Sequence, residues 1–301
     1  MRVRQPHVPT PAASPAAPIT ARPDTELRSI LELRSRDPAR VVSVLHARDG
    51  IGAPMVATVI SLLAWDAVAD EAIRALRTVA ALRIGQLTDA LLDQEQPFAV
   101  RRRVARVFSA CPTQRGVDGL MLGLDDPRFE VRFQCGRALA AIINATPGLQ
   151  VDARRTYDVV QREATVSRHV WQSRPLLDQV EREDGDPFVE ALTHRATQSL
   201  AHVFTILSLT LPREPLRIAF RGLHTDDQRL RGTALEYLEL ILPPSIHERL
   251  WPFLAPSTPA AHPRRSHDTV VAELLQSNDS ILLNLSDLKR RTEAPWPEVS
   301  T

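Results

Sequence analysis

The chain has 301 residues, a formal net charge of +1, 44% hydrophobic residues and only 5% aromatic residues. That is enough apolar sequence to bury a large core, and the charge is too balanced to announce a nucleic-acid partner. Few aromatics and 11 glycines in an Ala-, Leu-, Val- and Arg-rich background favour helices over sheets, and two cysteines make no disulfide framework.

Residues 1–24 are rich in Pro and Ala and have no period, the composition of a disordered tail or linker. The opening MRVRQPHVPT lacks the apolar core of a signal peptide. Helical spacing starts at Thr25 with Leu27, Ile30, Leu31 and Leu33. Asp37-Pro38 turns the chain, and Val41, Val44 and Leu45 follow. Ala53 to Trp65 reads as one apolar helix, partnered by Asp66 to Ile84 with Ile73, Leu76, Ala80 and Ile84 on one face. The apolar runs are shorter than the ~20 residues that span a bilayer, so no direct membrane insertion is expected. The next pair is Leu87 to Leu92 and Phe98 to Ala110.

Thr113 to Asn144 is the clearest unit. Val117, Leu120, Leu122 and Leu124 lead to Asp125-Asp126-Pro127. Asp126 is the expected N-cap and Pro127 the expected first helical residue, because a carboxylate can accept the free N–H groups of a first turn and proline lacks one. Val131, Cys135, Ala138, Leu139 and Ile142 then share one face. Shifting upstream by 31 residues recovers Val100, Val104, Val107, Phe108 and Cys111, with Arg101 and Arg106 in place of Arg132 and Arg137. A third copy runs Asp226-Asp227, Leu230, Arg231, Ala234, Tyr237, Leu238 and Ile241. Self-similarity at this period marks a solenoid, whose units bury their stripes on one another.

Beyond Pro147-Gly148 the rhythm lengthens. A charged helix over 151–180, to be broken at Pro175, and a second long helix over 188–211 form an enlarged pair at 151–211. Leu216 to Leu223 and Leu230 to Leu242 make the last clear repeat. Ser245 and Glu248 have the spacing of a capping box. The solenoid is therefore placed at 25–254, a Pro-rich linker at 255–266, a C-terminal helical cap at 267–291 and a tail at 292–301.

The Asp126-Pro127 turn followed by Val131-Arg132 resembles HEAT and HEAT-like repeats, of the compact bacterial variety. The fold this implies is all-α: a right-handed α-solenoid of antiparallel helix pairs, HEAT-like or armadillo-type. The segment LPREPLRIAFRGLHTDDQRLRGTALEYLELILPPSIHERLWPFL, with the SNDSILLNLSDLKRR near the end, looks like the cytosolic HEAT-like domain of bacterial major-facilitator, nucleotide-transporter-like membrane proteins. In that family a membrane domain precedes the solenoid, and this sequence carries none. The resemblance implies a non-enzymatic, protein-binding scaffold in the cytoplasm, at the cytoplasmic face of the inner membrane. It would be an accessory to a transporter-like membrane domain, in cis or in trans. No cofactor is implied, and the family supplies no catalytic residue.

Individual residues point the same way. Arg101, Arg132 and Arg231 stand at equivalent positions and are expected to meet an Asp of a neighbouring repeat, with Asp126 and Asp227 opening the helices. Arg101-Arg102-Arg103 point in three directions from one helix, which predicts a solvated face. His194, Gln198 and His202 share a face, but the two histidines are too far apart for the usual metal spacing, so a polar surface stripe is expected and no metal. Leu27, Ile30, Leu31 and Val41 are the residues expected at the open end of the solenoid, where a partner docks. The second reading is a HEAT-like DNA glycosylase acting on alkylated bases, which would use Trp65, Trp171 or Trp251. The dispersed arginines and near-zero charge argue against it, and no nucleic-acid partner is expected.

Overall fold

The computed structural model describes residues 21–47, 50–166, 187–225, 227–255 and 266–275. These residues are helices joined by short loops, with no strand among them. Residues 1–20 of the expected N-terminal tail, the expected C-terminal tail, most of the 255–266 linker, the charged helix beyond 166 and the helix at 281–291 lie outside the described residues. The chain divides into two compact units, 1–76 and 77–301, and the division falls inside the stretch read from sequence as one array.

In the first unit, α1 (Ala21–Leu33) starts four residues before the expected Thr25. Pro23 stands in its first turn, where a missing N–H costs nothing. Asp37 caps α2 (Pro38–Leu45), its carboxylate accepting the Ala39 N–H at 2.9 Å. The expected single helix over Ala53 to Trp65 is a 3-10 turn, Ala53–Met55, followed by α3 (Val56–Leu62). α4 (Ala69–Val79) comes next, its last residues falling beyond the division. α1 packs on α2 and α3. Leu33, Val41, Val56, Val59, Leu63, Ala72 and Leu76 are fully buried among them.

The second unit carries the repeats. A 3-10 turn, Ala80–Leu82, leads to α5 (Ile84–Leu92), α6 (Phe98–Phe108), α7 (Gln114–Gly123) and α8 (Phe129–Ala145). α5 packs on α6 and α7 on α8; across the pairs, α5 packs on α7 and α6 on α8. Val100, Val104, Val107 and Phe108 of α6 and the equivalent stripe of α8 are all buried where the two helices pack. Gly123 is glycine because α7 lies close to its neighbours: a Cβ there would stand 2.7 Å from Cys135 Sγ and 3.0 Å from Leu91 Cδ2. Thr113 caps α7 through the Gly116 N–H at 3.2 Å.

α9 (Ala153–Val166) and α10 (Pro187–Leu207) are the long pair, followed by α11 (Arg213–Gly222), α12 (Gln228–Ile241) and α13 (Pro244–Leu254). α10 packs on α8, α9 and α11, and α11 on α12. α13 returns to pack on α9, joined by hydrogen bonds from Gln161 Nε2 to Ser245 Oγ (3.0 Å) and from Arg249 Nη1 to Thr165 Oγ1 (2.8 Å). The expected capping box is not formed. α13 begins at Pro244, so Ser245 already lies in its first turn, and its hydroxyl serves α9 instead. A short helix at 267–275 packs on α12: His267 lies beside the Tyr237 ring, and Arg229 pairs with Glu273 at 2.8 Å.

Candidate functional site

The densest polar chemistry is a line of buried charges running from α6 to α10. Arg101, Asp126, Arg132, Glu163 and His202 are each no more than 6% exposed. Arg101 pairs with Asp126 Oδ2, and its Nη1 also donates to Gln94 Oε1 at 2.8 Å. Asp126 Oδ1 accepts the Arg128 N–H at 2.7 Å. Arg132 Nη1 donates to the carbonyls of Asp126 (2.9 Å) and Pro127 (3.0 Å). Its Nε and Nη2 form a fork on the two oxygens of Glu163, the latter at 3.1 Å. His202 Nε2 stands 3.8 Å from Glu163 Oε1. Each carboxylate thus has a guanidinium, as burying a charge requires.

This geometry changes the expected cap. α8 starts at Phe129 with Arg128 in the cap position, so Asp126 is neither N-cap nor neighbour of the first helical residue. The segment between Asp126 and Phe129 is held out of the helix because the Asp126 and Pro127 carbonyls accept from Arg132. Asp227, by contrast, is a side-chain cap: its Oδ1 accepts the N–H groups of Arg229 (2.9 Å) and Leu230 (3.1 Å).

The three equivalent arginines do not share one environment. Arg101 meets an Asp of the next helix pair, whereas Arg132 meets a Glu on α9. Arg231 is exposed and, among the described residues, reaches the carbonyls of Leu223 (3.4 Å) and Leu254 (3.5 Å). Glu163 went unnoticed in the sequence, yet it left a signal. Thr156, Val159, Val160, Glu163 and Ala164 form one buried stripe of α9, and a carboxylate in an apolar stripe needs a buried cation. His202 is likewise no surface residue. It is fully buried, packs edge-on against Phe129 at 5.6 Å, and lies where a Cβ on Gly136 would stand 2.8 Å from its Cε1. His194 falls outside the residues whose side chains are described.

A second, solvated clamp seats α9 on α7. Asp125 accepts from Arg155 Nη2 at 2.8 Å and Arg162 Nη1 at 2.7 Å, while Arg162 Nη2 reaches the Leu124 carbonyl at 2.6 Å. Cationic groups at the C-terminal end of α7 suit its dipole.

Burial, with the Asp126 charge adding to it, pushes the Cys135 thiol far above its usual range, so it remains a small protonated hydrophobe. Among the described residues no group of three His, Cys, Asp or Glu is placed to hold a metal ion. Trp65 and Trp251 are half-buried, Trp251 stacking on His247 at 4.4 Å; Trp171 lies outside the described residues.

The residues expected at the docking end divide. Leu27 and Leu31 are 58% and 62% exposed and Ile30 is half-buried, but Val41, on α2, which packs on α1, is fully buried and has no surface to offer a partner. Val41 therefore belongs to the core. On the same unit His46 Nε2 bonds Glu71 at 2.6 Å, and this bond, helped by Arg74, holds the Glu71 carboxyl below its ordinary range. No helix among the described residues is long and apolar enough to cross a membrane. No protein-family model matches the chain, and neither a curated protein nor a solved structure matches it.

Proposed function

We propose that the chain is a non-enzymatic, protein-binding scaffold: HEAT-like antiparallel helix pairs stacked as a right-handed α-solenoid, serving as a cytosolic accessory to a transporter-like membrane protein. The observation that carries the reading is the packing of α5 to α8. Helices one repeat apart pack like on like, α5 on α7 and α6 on α8, while each also packs on its own partner. That pattern is what stacked two-helix units make, and such units present long faces for partners. The consumption of buried charges by one another favours a binding role over catalysis. The partner's class rests on the sequence resemblance. The exposed Leu27 and Leu31, one turn apart on α1, supply an apolar contact of the kind a docking end requires.

The test is extraction from membranes of the source cell. The full chain should co-purify with a detergent-solubilised membrane protein, and a Leu27→Glu, Leu31→Glu variant should lose it without a change in melting midpoint, since both side chains are exposed. A chain that recovers no membrane protein, or a variant that recovers it equally well, would overturn the transporter partner.

A further inference from the structure

α6 and α8 carry a stripe in which arginines lie on phenylalanine rings. The Phe98 ring carries two guanidinium groups, Arg102 at 5.3 Å and Arg128 at 5.7 Å from its centroid. Arg137 lies over Phe133 at 5.9 Å, and Phe133 is 5.6 Å from Phe129. The stripe follows the repeat: Phe98 and Phe129 occupy equivalent positions 31 residues apart, as do Arg106 and Arg137. Phe98 and Phe133 are half-buried, Arg102 is half-buried, and Arg128 and Arg137 are exposed. The side chains of Arg102, Arg128 and Arg137 make no ion pair among the described residues, unlike Arg101 and Arg132 on the inward faces of the same helices. Two like charges held on one ring repel each other, and the ring quadrupole offsets this only in part. Each guanidinium is held beside a ring, and those of Arg128 and Arg137 are exposed, so a carboxylate can be met with less ordering cost than at a free arginine.

We propose that this stripe is a docking surface for an acidic peptide segment of a partner protein, an inference that rests on the scaffold reading and names the chemistry of its ligand. A carboxylate-bearing peptide is favoured over single-stranded nucleic acid because a guanidinium already lies over each of the Phe98 and Phe133 rings, which leaves less aromatic face for bases to stack on.

The test uses the full chain and a fluorescein-labelled peptide of alternating glutamate and glycine, with a single-stranded oligothymidine of equal charge alongside, read by anisotropy at about 150 mM salt. Replacing Arg102, Arg128 and Arg137 together by Gln should weaken peptide binding about tenfold or more. Replacing the exposed Arg115, Arg154 and Arg213 by Gln, an equal loss of charge, should leave it within about twofold. Phe98→Leu keeps an apolar side chain but removes the ring, and should give an intermediate loss. Equal weakening by both triple variants, no peptide binding, or tighter binding of the oligothymidine would each overturn the proposal. None of these results bears on recovery of a membrane protein through α1, so the scaffold reading stands or falls separately.

Discussion

Arg132 and Arg231 occupy the same place in the repeat, after an acidic turn and an apolar residue, and meet opposite fates. Arg132 is buried, forked on Glu163 and bonded to two carbonyls. Arg231 lies in water with two long contacts to carbonyls. The motif encodes the helix and the position of a cation on it. Whether that cation becomes an internal tie depends on the next element delivering a carboxylate. α9 does so because a glutamate breaks its apolar stripe. Beyond α12 the chain instead places Tyr237 against the 267–275 helix, with an exposed Arg229–Glu273 pair at the rim.

The comparison is broken most forcefully at Arg132. Arg132→Ala leaves the Glu163 carboxylate buried, and should cost about 3–5 kcal/mol in urea unfolding. Arg101→Ala strands Asp126, which keeps the Arg128 N–H, and a smaller loss of about 2–3 kcal/mol is expected from the same measurement.

In the third copy the corresponding sensitivity is to alkali. Tyr237 is fully buried, its hydroxyl has no hydrogen-bond partner among the described residues, and burial pushes its pKa up to about 12. In the unfolded chain the phenol ionises near 10, so as pH rises from there the unfolded state holds fewer protons and stability falls. The loss should reach roughly 2–3 kcal/mol by the folded value. Tyr237→Phe should remove that part of the alkaline loss while costing little at neutral pH; a variant with the same alkaline profile as the parent would contradict the assignment. The smallest effect belongs to Arg231→Ala, within about 0.5 kcal/mol, as for an exposed side chain with no carboxylate partner among the described residues. A large loss there would erase the contrast with Arg132.

Much of the helical layout was legible because apolar stripes at helical spacing report burial directly. α5 to α8 and α11 to α12 lie within a few residues of their expected bounds. What sequence could not supply were choices made between elements. Asp126 has the spacing of a cap, but Arg101 and Arg132 compete for its carboxylate and carbonyl, and the helix starts later. Ser245 and Glu248 have the spacing of a capping box, but α9 takes the serine. His202 looked solvated beside polar Gln198, yet it is fully buried and lies against Gly136, where α8 and α10 approach too closely for a Cβ. Val41, expected at an exposed end, is core because α1 packs on the helix that carries it. For the candidate site, the arginines announced themselves by repetition, while Glu163 had no copy to repeat and showed only as a charge in an apolar stripe.

The central claim is that Arg132 and Glu163 form one internal tie that Arg231 lacks. A double-mutant cycle with Arg132→Met and Glu163→Gln, read by denaturant unfolding, tests it most directly. A coupling energy of about 2 kcal/mol or more is expected, the two single losses being largely shared. Additive losses, with coupling within about 0.5 kcal/mol of zero, would mean that the buried pair is no tie and that the two arginine positions do not differ in the way described.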